Sequence, residues 1–132
     1  MKNIIFIAVI TIICFSCTSP IVNSIVETDS VVIEFAIPEP GAVSKTVATT
    51  NSAAIHRLIG FVDSKEVQAM PCVYKGKVFF FQQGNKLLEA QFADAEDCRY
   101  FSFTLDGVLH HTRMNHEAVD FFKSLEEGKN YY

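Results

Sequence analysis

Positive charge is scarce in this chain. Its 132 residues carry 11 Lys and Arg against 15 Asp and Glu, a net charge of −4. Lys2 is the only charge among the first sixteen residues, so without that stretch ten basic groups face fifteen acidic ones. A protein that grips a phosphate backbone needs a basic stripe, so nucleic acid is not an expected partner. Catalytic signatures are scarce too: there is no G-x-S-x-G elbow, no H-E-x-x-H helix, no Walker loop and no Rossmann glycine pattern. The chain therefore reads as a non-enzyme without a cofactor. It also lacks an apolar run of the length, about 20 residues, that a helix needs to cross a bilayer.

What the N-terminus does have is a short apolar run behind one basic residue. Met1-Lys2-Asn3 precedes an uncharged stretch, Ile4 to Phe15, of about a dozen residues. That is the pattern of a secretory signal peptide over residues 1–16. The end of the run, Cys14-Phe15-Ser16-Cys17, resembles the lipobox of bacterial lipoproteins, with Cys14 where an aliphatic residue is more usual. The resemblance implies cleavage after Ser16 and a fatty acyl (palmitate-type) anchor on Cys17. Thr18 follows, not the Asp that retains such proteins in the inner membrane, which by the same resemblance implies the outer membrane, facing the periplasm or the surface. Ordinary signal-peptidase cleavage after Ser16 is the alternative, because Cys14 and Ser16 satisfy the small-x-small rule. Residues 17–29, polar and with Pro20, read as the anchor and a flexible tether, and residues 30–132 as one domain.

Ser30 to Ile37 alternates β-branched and aromatic residues in the manner of a strand, and Pro38-Glu39-Pro40-Gly41 stops it. Ala42 to Thr50 suggests a second short strand. Asn51 and Ser52 are capping residues ahead of a helix over 53–63 with apolar positions 55, 58, 59 and 62. From Lys77 to Met114 the chain reads as four strands. A turn at Gly84-Asn85 would set Phe81 opposite Leu88 and Phe79 opposite Ala90. Asp106-Gly107 suits a type I′ turn and sets Leu105 opposite Val108, Phe103 opposite His110 and Phe101 opposite Thr112. The core face is then Phe79, Phe81, Leu88, Ala90, Phe92, Phe101, Phe103, Leu105, Val108 and Met114, which requires Phe101 opposite Ala90 and Glu89 opposite Ser102. A last helix runs from His116 to Glu127, capped by Asn115 and stopped at Gly128. The expected fold is α+β: a two-layer domain with an antiparallel meander sheet and two helices packed on one face.

Two cysteines remain beyond Cys17. An oxidising envelope favours pairing Cys72 with Cys98, yet a plain meander with Cys72-Val73-Tyr74 as its first strand holds them about 14 Å apart, too far for a disulfide. Either the 71–74 segment folds back or the thiols stay free. His110 and His111 alternate in direction on a strand and cannot meet on one ion, so no metal is expected.

Function is expected on the other sheet face. Its candidates for contact with an envelope protein or a glycan are Phe80, Glu89, Tyr100, His111 and Arg113; a merely solvated face is the competing reading. Cys98-Arg99-Tyr100-Phe101 before a D-G hairpin and a terminal helix resembles small exported lipoproteins without assigned function. The expected role is a non-enzymatic, lipid-anchored binding or accessory protein of the envelope. The alternative is an envelope enzyme or inhibitor, with His111 and Glu89 as its acid–base pair.

Overall fold

In a computed structural model that describes residues 19–36 and 45–129, the chain forms α1 (Pro20–Ile25), β1 (Ser30–Phe35), β2 (Lys45–Thr49), α2 (Ser52–Val62), β3 (Gly76–Gln82), β4 (Asn85–Ala95), β5 (Cys98–Leu105), β6 (Val108–Arg113) and α3 (His116–Glu126). The strands make one antiparallel sheet in the order β2-β1-β3-β4-β5-β6. The fold is thus α+β, with six strands and three helices among the described residues. The expected signal peptide, the Cys17 anchor site and the turn at 38–41 lie outside those residues.

Where the pattern was strong, the elements match it. In β1, Val31, Ile33 and Phe35 are buried. The Asn51 side chain caps α2 by accepting from the Ala54 amide at 3.0 Å, and Ile55, Leu58, Ile59 and Val62 are buried. Asn115 does the same for α3 at the Ala118 amide, 2.8 Å away, and Gly128 takes the left-handed φ of 77° that stops the helix. Phe122 of α3 stacks on Phe92 of β4 at 4.5 Å between ring centroids and also meets Phe101 of β5. Helices α2 and α3 touch through Phe61 and Phe121, with the Arg57 guanidinium over the Phe121 ring and 3.1 Å from Glu117.

Three expectations are corrected. Residues 20–29 are not a loose tether, because α1 occupies 20–25 and buries Ile21 and Ile25. Six residues with one i, i+4 apolar pair are too few to display a period. Ser19 as cap and Pro20 at the first helical position were its only local marks.

The second correction concerns β3. The turn before β4 is Gln83-Gly84, with φ of 48° and 78°, not Gly84-Asn85. This shift of one residue turns the strand over. Phe80 lies opposite Leu88 and Val78 opposite Ala90, and both Phe80 and Val78 are fully buried, whereas Phe79 and Phe81 stand on the other face. A bulge between Phe80 and Phe81 lets Leu87 and Leu88 share one partner position.

The third concerns the next pair of strands. Ala90 faces Phe103 and Gln91 faces Ser102, so the expected Phe101–Ala90 and Ser102–Glu89 pairs are each out by two residues, which preserves the faces. The β5–β6 register is as expected, but Val108 at the hairpin tip is 57% exposed and takes no part in the core.

This register has a direct test. Phe80→Ala is expected to cost about 3–5 kcal/mol of unfolding free energy, as a fully buried aromatic should. Phe79→Ala removes a half-exposed ring and should cost about 1 kcal/mol or less. Denaturant titration of both variants measures this; a larger loss for Phe79→Ala would restore the register first expected.

Candidate functional site

The segment between α2 and β3, residues 64–75, forms a strap over the outer face of the sheet. It first lines the edge of β6: the Arg113 amide donates to the Lys65 carbonyl at 2.8 Å and the Val67 amide to the His111 carbonyl at 2.9 Å, with Glu66 bridging to Thr112. The chain then crosses β5. The Tyr100 hydroxyl donates to the Met70 carbonyl at 2.8 Å, Cys72 is disulfide-bonded to Cys98 with 5.8 Å between Cα atoms, and the Tyr74 ring sets its edge on Tyr100. Lys75 finally bonds both neighbours of β3, its amide to the Phe92 carbonyl and its carbonyl to the Ala36 amide. Cys72-Val73-Tyr74 is therefore not a strand. That segment leaves the sheet, which is how the two cysteines meet. The ring closed by this bond, with a sequence separation of 26, stabilises the fold by about 3–4 kcal/mol in the chain-entropy account.

The strap divides the residues expected to share one open surface. Phe80 is in the core, because β3 is turned over. Tyr100 keeps 1% of its surface and lies beneath the strap. Its burial first, with the nearby Tyr74 hydroxyl adding, pushes the phenol up to about 12. His111 sets its ring edge to Tyr100, and its Nδ1 is buried with no hydrogen-bond partner. Arg113 is exposed. The carboxylate of Glu89 is bound by Lys86 at 2.9 Å and Lys77 at 3.1 Å, and these two cations hold its pKa below the usual carboxylate range. Glu89 sits opposite Phe79, while His111 belongs to the next row, with Ser102 and Gln91. The five residues are not one site.

The two adjacent histidines part as alternation requires. His110 stacks on Phe103 and places Nδ1 2.7 Å from Glu66, while His111 faces Tyr100. Among the described residues no three His, Cys, Asp or Glu side chains gather where a metal could be held.

The half of the outer face that the strap leaves bare has a different composition. Phe79 and Phe81 stack at 6.4 Å, both half-buried, with the Lys86 ammonium 5.9 Å from the centre of the Phe79 ring. The β4–β5 ladder ends at Ala90–Phe103 although β4 starts at Asn85, so the sheet opens there. The resulting cleft, about 410 Å³, is lined by Leu87, Glu89, Gln91, Ser102, Thr104 and Leu109 among others, and Leu109 is 62% exposed. An aromatic shelf beside a cleft of hydroxyl, amide and paired charged groups can stack on an apolar surface and hydrogen-bond at its rim. Sequence reasoning missed this shelf. The signal was there: glycine stands second in Gln83-Gly84 as it does in Asp106-Gly107, the order a type I′ turn prefers.

Comparison with protein-family models, curated proteins and solved structures finds no match to this chain.

The buried phenol makes a prediction about pH. Its folded-state pKa lies above the unfolded value near 10, so its contribution to stability is complete below pH 10. That contribution is lost as pH rises from about 10 through about 12. Chemical denaturation across this range should show wild-type stability falling more steeply than that of Tyr100→Phe, and equal slopes would place the hydroxyl in water.

Proposed function

We propose that this chain is a non-enzymatic, lipid-anchored binding or accessory protein of the cell envelope, and that it contacts an envelope protein or glycan with the bare half of its outer sheet face. We infer a two-layer domain, in which α2 and α3 cover the face that carries Phe92 and Phe101. The observation behind the binding role is the Phe79–Phe81 shelf with Leu109 and the open cleft beside it, apolar surface of the kind that binding faces concentrate. The acid–base alternative has no comparable support, since the Glu89 carboxylate is taken up by two lysines and stands in a different row from His111.

The anchor part of the proposal rests on Cys14-Phe15-Ser16-Cys17, behind a short apolar run and ahead of Thr18. An outer-membrane location and exposure to the periplasm or surface belong to the same proposal. Its consequence is geometric. Ser19 already caps α1, so a lipid on Cys17 would be joined to the folded domain through Thr18 alone.

Two experiments separate the halves of this reading. Labelled palmitate should enter the wild-type protein and not Cys17→Ser when each is expressed with its own leader; equal labelling of the two ends the lipid assignment. Crosslinking in intact envelopes should capture a partner that Phe79→Ala and Leu109→Ala each reduce by about tenfold, the size of effect expected for a central contact, with folding unchanged by circular dichroism. Undiminished capture by both variants would discard this face.

A further inference from the structure

Strand β4 outruns the strand beside it. It extends from Asn85 to Ala95, but β5 pairs with it only over Ala90–Ala95, although β5 itself continues past Phe103 to Leu105. On that side, residues 85–89 have no strand alongside them among the described residues, while their other side is paired with β3. Elsewhere the fold covers an edge of this kind: the strap hydrogen-bonds along β6 from His111 to Arg113. Backbone N–H and C=O groups left in a row without a neighbour are a template for one more strand. A lysine on such an edge ordinarily discourages pairing, yet Lys86 is drawn aside to the Glu89 carboxylate and toward the Phe79 ring.

The cleft of about 410 Å³ lies in this gap, and its walls say what it can hold. Leu88 and Phe103 line it on opposite sides, yet they keep only 4% and 2% of their surfaces. Their side chains belong to the core, so what they turn to the cleft is main chain. Along a strand edge, a donor and an acceptor recur together at every second residue. An extended peptide at about 4.8 Å reproduces that pattern, and sugar hydroxyls do not. Its side chains would alternate between two surroundings. Inward ones would meet the packed Leu88 and Phe103 and must be small, while outward ones would lie between Leu87 and Leu109 and can be larger. Beside them Lys77 and Lys86 share the single Glu89 carboxylate, and the excess positive charge suits a second carboxylate.

We propose that the partner is a protein that lends an extended segment, added as a strand along residues 85–89 of β4. The segment is about five residues, or about 17 Å, long. It carries small side chains inward and a carboxylate outward, near Lys77 and Lys86. This inference rests on the reading of the bare outer face as the binding surface, and narrows its partner from protein or glycan to a peptide strand. It is independent of any lipid on Cys17.

The test is an NMR titration of the isotopically labelled chain from Thr18 onward with the blocked peptide acetyl-Val-Ala-Asp-Ala-Val-amide. The titration runs to about 5 mM, where a Kd near 1 mM already fills most sites. Saturable shifts are expected at the amides of 86–89 and 104, with hydrogen exchange at 86–89 slowed by about twofold or more on saturation. Methylating every peptide nitrogen of the probe should weaken binding by about tenfold or more, because the ladder donors are gone. Replacing its Asp by Asn should weaken binding by a smaller factor, and equal binding of that analogue would remove the carboxylate from the proposal. The added strand is overturned if the peptide gives no saturable shift or if the methylated peptide binds as well. It is also overturned if the N-acetylglucosamine tetramer shifts these amides and the peptide does not. In each of those cases the wider reading of the face still stands or falls on the Phe79→Ala and Leu109→Ala crosslinking result, so the two failures are distinguishable.

Discussion

The Phe92 ring is the point on which the fold turns. It stacks on Phe122 of α3 at 4.5 Å, meets Phe35 of β1 edge-on at 5.9 Å, and lies across from Gly76 in the β3–β4 register. A Cβ at Gly76 would come within 2.9 Å of that ring and closer still to the Glu34 carbonyl. Glycine is therefore required for space here, not for backbone freedom, and the aromatic covers the gap that the missing side chain leaves. One ring joins the last helix, the first strand and the centre of the sheet. Aromatic pairs in this arrangement add about 0.5–1.5 kcal/mol each beyond the area they bury.

How much of this was legible in the sequence depends on how many residues report each element. The stripe of α2 needs four apolar positions and has them, and the same holds for α3, so both helices and their asparagine caps could be read directly. Asp106-Gly107 fixes the last hairpin by itself, because few dipeptides accept two left-handed residues in succession. In β3 the run Val78 to Phe81 is apolar on both faces, so alternation cannot say which side is inward, and only the turn decides. An error of one residue there inverted the strand, placed Phe80 on the candidate surface and hid Phe79 and Phe81 in the expected core. The α1 helix was too short to show a period. The strap has no period at all; its one readable sign was the conflict between a plain meander and a Cys72–Cys98 bond, which required some segment to leave the sheet.

That strap changes what the outer face can do. Without it, a six-stranded sheet would present one continuous surface with Tyr100 and His111 near its middle. With it, Tyr100 becomes an internal ligand of the Met70 carbonyl, the edge of β6 near Thr112 is covered, and the cystine fixes both. Covering a strand edge also protects against pairing with other chains. The remaining bare surface is small, aromatic and bordered by the Lys77–Glu89–Lys86 cluster, in which two cations share one anion and leave a single positive charge. A net-acidic protein thus offers a patch with only one excess positive charge, which favours contact by shape and stacking over long-range attraction.

The two ends of the sheet carry different chemistry, and the first helix relates them to the membrane on the lipid-anchored reading. The Gln83-Gly84 and Asp106-Gly107 turns, the Phe79–Phe81 shelf and the open cleft share one end; the disulfide and the strap crossing share the other. The chain leaves α1 at the shelf end, where the Asp29 amide bonds the Phe81 carbonyl and its carboxylate accepts from the Gln83 amide. Six helical residues rise about 9 Å, so Ser19 is no further than about one short helix from that end. An acyl chain on Cys17, joined through Thr18 alone, would then keep the shelf near the bilayer surface. Partners at the shelf would be limited to those at or in the same membrane face.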